Sequence, residues 1–202
     1  MTFETEGAGG TAGSQAPAAD GLPPGQYVTA KWPVLHVGPI PRFDPKTWDF
    51  RVAGLVEQPL HLTWEEFNIL PRVNRRSDIH CVTTWSKYDN LWDGVGTREI
   101  LHRARPRPEA RFVMVHAEND YTANLPLEAF LAEDALFATH HNGRPLEPEH
   151  GYPLRLVVPR LYFWKSAKWV RGIELMAADR PGFWEQRGYN NNADPWKEER
   201  YW

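Results

Sequence analysis

Apolar and polar positions alternate with a period of two along "WDFRVAGLV" (48–56), the pattern of a strand with one buried face. Similar extended runs recur at "SDIHCVTTW" (77–85) and "ARFVMVHA" (110–117), at the start of "YTANLPLEAFLAE" (121–133), and at "PLRLVVP" (153–159) and "KWVRGIELMA" (168–177). Within "ALFATHHNGRPL" (135–146), Asn142-Gly143 is a type I′ turn signal joining two extended segments, because both turn positions need positive φ. Three segments switch to helical character. "TWEEF" (63–67) begins with Thr63 and has Glu66 three residues later, a capping-box spacing. "GTREILHRA" (96–104) predicts a helix with Thr97 as N-cap, and another short helix is expected to start near Pro126. About seven strands and two or three short helices predict one mixed α+β, β-rich domain.

The first 22 residues carry no such pattern, and their Gly/Ala/Ser/Pro bias predicts a flexible tail at 1–22 followed by one domain at 23–202. Composition narrows the function classes. Ten tryptophans, 18 prolines and 15 glycines in 202 residues point to a loop-rich fold with aromatic-lined surfaces. The 23 basic and 26 acidic side chains give a net charge of −3, with no general attraction to nucleic acid or anionic membrane. No apolar run approaches the roughly 20 residues needed to span a bilayer. The N-terminus has no secretory pattern and a single cysteine excludes an intrachain disulfide, so a cytoplasmic location is expected.

Four stretches hold candidate chemistry. Cys81 is the only cysteine, which excludes a CxxC site and leaves a buried apolar filler, a nucleophile or a soft metal ligand. His80 adjoins it, but strand neighbours point to opposite faces, so His80 is expected to face away. His102, His116, His140, His141 and His150 would reach Cys81 only through the fold. "PLRLVVPRLYFWKSAKWVRG" (153–172) places two of the chain's six lysines, Lys165 and Lys168, three apart among Arg155, Arg160 and Arg171. Its "WKSAK" combines small residues with ammonium groups, a composition suited to an anion held by backbone N–H and lysine, although a solvated loop has the same composition. "HAENDYTANLPLE" (116–128) is a polar cluster at a strand end. The aromatics of the last 23 residues, Phe183, Trp184, Tyr189 and Trp196 among them, read as packing that pins the C-terminal segment.

In order along the chain, "PRFDPKTWDFRVAGLVEQPLHLTWEEF", "HCVTTWS", "YTANLPLE", "HGYPLRLVVP" and "WKSAKWVRGIEL" resemble the sulfite-oxidase-like molybdopterin oxidoreductases, most of all their short stand-alone bacterial members. The resemblance implies a β-rich α+β domain around a molybdenum-molybdopterin cofactor. It implies that Cys81 binds molybdenum through its thiolate, a soft ligand suited to a metal already held by sulfur. It further implies cofactor contacts from His36, His150, Arg155, Ser166, Ala167 and Lys168, and an active-site phenol at Tyr121, able to hydrogen-bond an oxo ligand or a substrate oxygen.

One departure bears on substrate. Sulfite oxidases place arginines around the metal to hold the dianion; the matching places here are Trp85, four residues after Cys81, and Leu35 or a near neighbour. An indole in place of a guanidinium removes charge-assisted bidentate recognition, so sulfite would need a cation from elsewhere, such as Arg160. A tryptophan here is similar to the methionine-sulfoxide-reducing branch. The expected activity is therefore two-electron oxygen-atom transfer on a small S- or N-oxide, with electrons exchanged through a separate partner. Sulfite oxidation, a redox-silent cofactor-binding subunit and a Cys81-dependent hydrolase are the alternatives. No nucleic-acid partner and no membrane span are expected, and an oligomer stays open.

Overall fold

The structure is a computed structural model that describes residues 21–202, so the expected tail lies, except for its last two residues, outside the described residues. Two sheets carry the fold. The first runs β1 (Tyr27–Val28), β5 (Trp85–Gly96), β8 (Leu136–His141) and β10 (Arg155–Val157), with β4 (Arg72–His80) paired to β5 and β9 (Arg144–Pro145) to β8. The second runs β3 (Leu60–Thr63), β2 (Asp49–Gly54), β11 (Val170–Met176), β6 (Phe112–Ala117) and β7 (Thr122–Pro126). Helices are short: α1 (Trp64–Asn68), α2 (Thr97–Ala104) and α3 (Leu127–Phe130). The expected α+β, β-rich class holds.

The sheets face each other across a core that includes Phe50, Val52, Phe67, Val115, Leu125, Phe137 and Ile173. A second apolar cluster gathers Cys81, Trp85, Trp92, Tyr162 and Trp164 on the side of the first sheet where the cleft described below opens. β11 is central because it pairs parallel with β2 and antiparallel with β6. Gly172 makes this possible: a Cβ there would lie 2.4 Å from the Arg51 carbonyl oxygen.

Local chemistry explains several element ends. Thr63 caps α1, its hydroxyl accepting from the Glu66 N–H while the Glu66 carboxylate accepts from the Thr63 N–H, as the spacing predicts. Replacing Thr63 by alanine is expected to cost about 1 kcal/mol in chemical denaturation. Asn142 and Gly143 both adopt positive φ between β8 and β9, as an I′ turn demands. In α2, Thr97, Ile100, Leu101 and Ala104 fall on one face and are buried. Two expectations change. The N-cap of α2 is Gly96, not Thr97; the Thr97 hydroxyl instead donates to the carbonyls of Phe130 and Ala135, tying the helix to the turn before β8. The chain also forms eleven strands among the described residues, not about seven. The longest, β5, has too polar a sequence for a periodic signal: it lies along β4 for nearly its whole length, and half of its positions are only partly buried or exposed.

Candidate functional site

The hairpin of β4 and β5 presents Cys81 at a cleft of about 330 Å³. The expected strand through residue 85 breaks here: β4 ends at His80, and residues 81–84 make a tight turn with Thr84 at φ 74°. Within it the Cys81 N–H donates to the Trp85 carbonyl at 2.9 Å and the Thr84 N–H to the Cys81 carbonyl at 3.0 Å. Cys81 is 8% exposed, and its sulfur lies 3.2 Å from the Thr83 hydroxyl. Burial pushes the thiol pKa up; the Thr83 hydroxyl and the charge of Arg200 oppose that.

His36, Trp85, Tyr121, Arg155, Ser166, Ala167 and Lys168, far apart in sequence, line the same cleft as Cys81. Trp85 is 4% exposed, and its indole N–H is buried without an acceptor among the described residues. Arg155 is fully buried. Its guanidinium donates to the His150 and Ser166 carbonyls, both at 2.9 Å, and lies over the Phe163 ring at 4.2 Å. Burial lowers its pKa to about 9, which leaves it protonated at neutral pH. The Lys168 ammonium donates to the Leu35 and Glu149 carbonyls at 2.7 and 2.6 Å. Burial, then the neighbouring Arg155 charge, brings its pKa down to about 7. Gly151, at φ 111°, lets this loop close: a Cβ would sit 2.9 Å from Arg155 Cβ and 3.2 Å from Lys168 Cβ.

Other candidates sit differently from the sequence expectation. The Tyr121 hydroxyl donates to the Trp164 carbonyl at 2.6 Å, so its proton is engaged by the protein and only its oxygen lone pairs remain for another group. Burial raises its pKa. The Ser166 hydroxyl accepts from the Val158 N–H, and His36 Nδ1 lies 3.0 Å from the Gly38 carbonyl. His150 stands one layer behind the cleft wall, stacked on Trp32 with ring centres 3.8 Å apart. Its Nδ1 is buried without a partner, and burial, reinforced by Arg155 and Lys168, holds its pKa near 4, so the ring is neutral.

Arg160 is a correction. It is exposed in a separate trough beside Arg98 and Arg111, because buried Leu161 and Tyr162 turn the chain inward directly after it. It supplies no cation to the cleft. Lys165 is a second correction to the basic cluster: it is fully buried and paired with Glu185 at 2.7 Å, away from Lys168. None of His80, His102, His116, His140, His141 or His150 lines the cleft; His80 Nδ1 lies 2.8 Å from the Ser86 hydroxyl. His36 is the histidine that shares the cleft with Cys81, and its Nδ1 is engaged with the Gly38 carbonyl, so no histidine is hydrogen-bonded to the Cys81 sulfur among the described residues. Trp32, Trp184 and Tyr189 also line the cleft, beyond the packing expected of the C-terminal aromatics.

This donor set suits a sulfur-bound metal on an anionic organic cofactor. Cys81 gives one soft ligand, and no group of three His, Cys, Asp or Glu among the described residues could hold a metal alone. The backbone N–H groups of Ala167 and Lys168 find no acceptor among the described residues, and Lys168 brings an ammonium to the same cleft. Free N–H groups and a cation in one cleft suit an anionic group. The aromatic walls fit a flat ring system.

The profile of the family described as "Oxidoreductase molybdopterin binding domain" matches residues 37–184. The chain is 50% identical over 181 residues to "Uncharacterized oxidoreductase YuiH" of Bacillus subtilis (strain 168), covering 89% of this chain and 91% of that protein. It is 29% identical to the "Protein-methionine-sulfoxide reductase catalytic subunit MsrP" of Campylobacter jejuni, over 76% of this chain and 59% of that protein. Among solved structures, the sulfane dehydrogenase SoxCD of Paracoccus pantotrophus superposes with a TM-score of 0.66 at 22% identity, over 75% of this chain and 43% of that one, a likeness of fold.

Proposed function

We propose that this chain, which belongs to the family of oxidoreductases with a molybdopterin-binding domain, reduces a small neutral S- or N-oxide at the Cys81 cleft. The observation that carries the substrate class is that, among the described residues, no guanidinium lines the cleft except the fully buried one of Arg155. Arg155, the one arginine lining it among the described residues, is fully buried and donates to the His150, Ser166 and Leu156 carbonyls, Arg160 lies elsewhere, and Trp85 stands next to the Cys81 turn. A dianion such as sulfite would enter without the bidentate partner that repays its desolvation. A neutral oxide needs only hydrogen-bond donors and apolar walls. The resemblance to a methionine-sulfoxide reductase supports the same direction.

In this proposal the Cys81 thiolate is the protein's ligand to molybdenum. The bound molybdenum-molybdopterin group supplies two-electron redox chemistry. The free N–H groups of Ala167 and Lys168, with the Lys168 ammonium, hold the pterin's anionic and polar edge. An ammonium with a pKa of about 7 becomes fully charged when an anion settles against it. Trp32, Trp85 and Trp169 wall the substrate from water. Tyr121, with its proton committed to the Trp164 carbonyl, fixes that wall and offers lone pairs alone. The balance is oxide plus two electrons plus two protons giving the deoxygenated product and water, the electrons arriving from a separate partner. A cytoplasmic location is part of the proposal, checked by cell fractionation.

Cofactor-loaded protein is assayed with a reduced viologen against a panel of S- and N-oxides, and with sulfite and an oxidised acceptor. At least one oxide is expected to turn over about 10-fold or more faster than sulfite, a difference of about 1.4 kcal/mol or more in barrier. Sulfite turnover exceeding every oxide overturns the substrate class.

A further inference from the structure

The Cys81 turn is held from behind by the two ends of the described chain. From the N-terminal side, Gln26 Nε2 donates to the Cys81 carbonyl at 3.0 Å. From the C-terminal side, the Arg200 guanidinium donates to the Val82 carbonyl at 2.6 Å and to the Pro24 and Gly25 carbonyls at 3.3 and 3.2 Å. The side chain of Arg200 is 11% exposed and packs over the Tyr162 ring at 5.2 Å. Gly25 is shaped for this arrangement: at φ 67°, a Cβ would lie 2.4 Å from Glu198 Oε1 and 3.0 Å from an Arg200 terminal nitrogen. A fork of donors on three carbonyls of two segments is what a planar guanidinium can do and a lysine cannot reproduce. Glu198, half exposed, sits 3.4 Å from the Arg200 Nε and offsets part of its charge at the rim.

We propose that Arg200 is a positioning residue of the metal site: it fixes the Cys81 turn and places a largely buried positive charge behind the thiolate. The inference rests on the proposed role of Cys81 as metal ligand. Both effects act on a soft anionic ligand. The fork keeps the sulfur aimed into the cleft without a side-chain contact to it, and the charge stabilises the electron-rich state of whatever Cys81 binds. The aromatic tail that carries Arg200 thereby becomes part of the site.

Full-length wild type, Arg200→Met, Arg200→Lys and Cys81→Ser are produced in a host that makes the cofactor. Molybdenum content, the molybdenum midpoint potential, the paramagnetic-resonance spectrum of the half-reduced protein and thermal unfolding are compared. Arg200→Met is expected to weaken cofactor retention by about 10–100-fold. In its remaining loaded fraction the potential moves down, because a cation that favours the reduced state is gone, and the spectrum changes. Arg200→Lys is expected to return the potential toward the wild-type value while retention stays below wild type; it carries the test alone if Arg200→Met does not fold. Wild-type content, potential and spectrum in the Arg200 variants overturn the inference. So does a loss of molybdenum with potential and spectrum unchanged in the loaded fraction, which reduces Arg200 to a brace. Cys81→Ser separates the two layers: if it keeps its molybdenum, the ligand role of Cys81 fails; if it loses the metal while the Arg200 variants match wild type, the Arg200 inference fails alone.

Discussion

Cys81→Ser is expected to leave the protein folded and to strip it of molybdenum, with oxide-reducing activity falling by more than about 100-fold, beyond the usual loss from a residue behind the ligand. The two parts separate because of where the sulfur lies. Cys81 sits at a turn, with its backbone held by Trp85, Thr84 and Gln26, and none of those bonds uses the sulfur. Serine has the same shape and can keep the contact to Thr83. The change in unfolding free energy is therefore expected to stay within about 1 kcal/mol. A hydroxyl, unlike a thiolate, is a hard and weakly acidic ligand at neutral pH, so affinity for a sulfur-bound metal goes with the sulfur. Elemental analysis and a denaturation curve on the same sample decide it. Full molybdenum content in Cys81→Ser would remove the residue from the metal site, and a collapse of stability would make it the apolar filler that its burial also suits.

What the sequence made legible follows from how local each signal is. The capping box at Thr63, the Asn142-Gly143 turn and the helix over 96–104 are set by residues within a few positions of one another, and the structure has all three, though Gly96 rather than Thr97 caps the helix. The long strand β5 is not local in this sense. Its backbone is fixed by β4 on one side and by β1 and β8 on the other, and Gly94 is needed because a Cβ there would lie 1.9 Å from the Phe137 carbonyl oxygen. No periodicity announces that. At the cleft, Cys81, Arg155, Ala167 and Lys168 stood in motifs and come together. Arg160 stood in the same motif as Arg155 and points elsewhere, since residues five apart on a strand and the turn after it do not share a face. Lys165 and Lys168 diverge for a related reason: a 3₁₀ turn at Phe163–Lys165 ends between them. Arg200 and Gln26 had no signal at all, because their role is to meet a turn more than 50 residues away.

The pair that Lys165 makes instead supports the second large expectation. Glu185→Ala is expected to destabilise the protein by about 3–5 kcal/mol, the cost of leaving a buried charge uncompensated. The Lys165 ammonium is fully buried and touches Glu185 Oε1 at 2.7 Å, the Asn124 carbonyl at 2.7 Å and Asn124 Oδ1 at 3.1 Å. Burial lowers its pKa, and the Glu185 carboxylate is the main influence keeping the proton on. The same carboxylate accepts from the Trp164 indole at 2.8 Å, so alanine orphans two donors at once. For a chain of this size each kcal/mol moves the unfolding midpoint by about 2–4 °C, so a fall of about 6–20 °C is expected. The Lys165→Met, Glu185→Leu double variant distinguishes the cause, since removing both charges is expected to recover most of the loss. If the double variant is as unstable as Glu185→Ala, packing rather than charge holds this region. Recovery of stability without recovery of cofactor retention would mean more. Trp164, Trp184 and Tyr189, which flank the pair, wall the cleft. Their placement, and with it the shape offered to the cofactor, would then depend on the Lys165–Glu185 bond and on the indole that it orients.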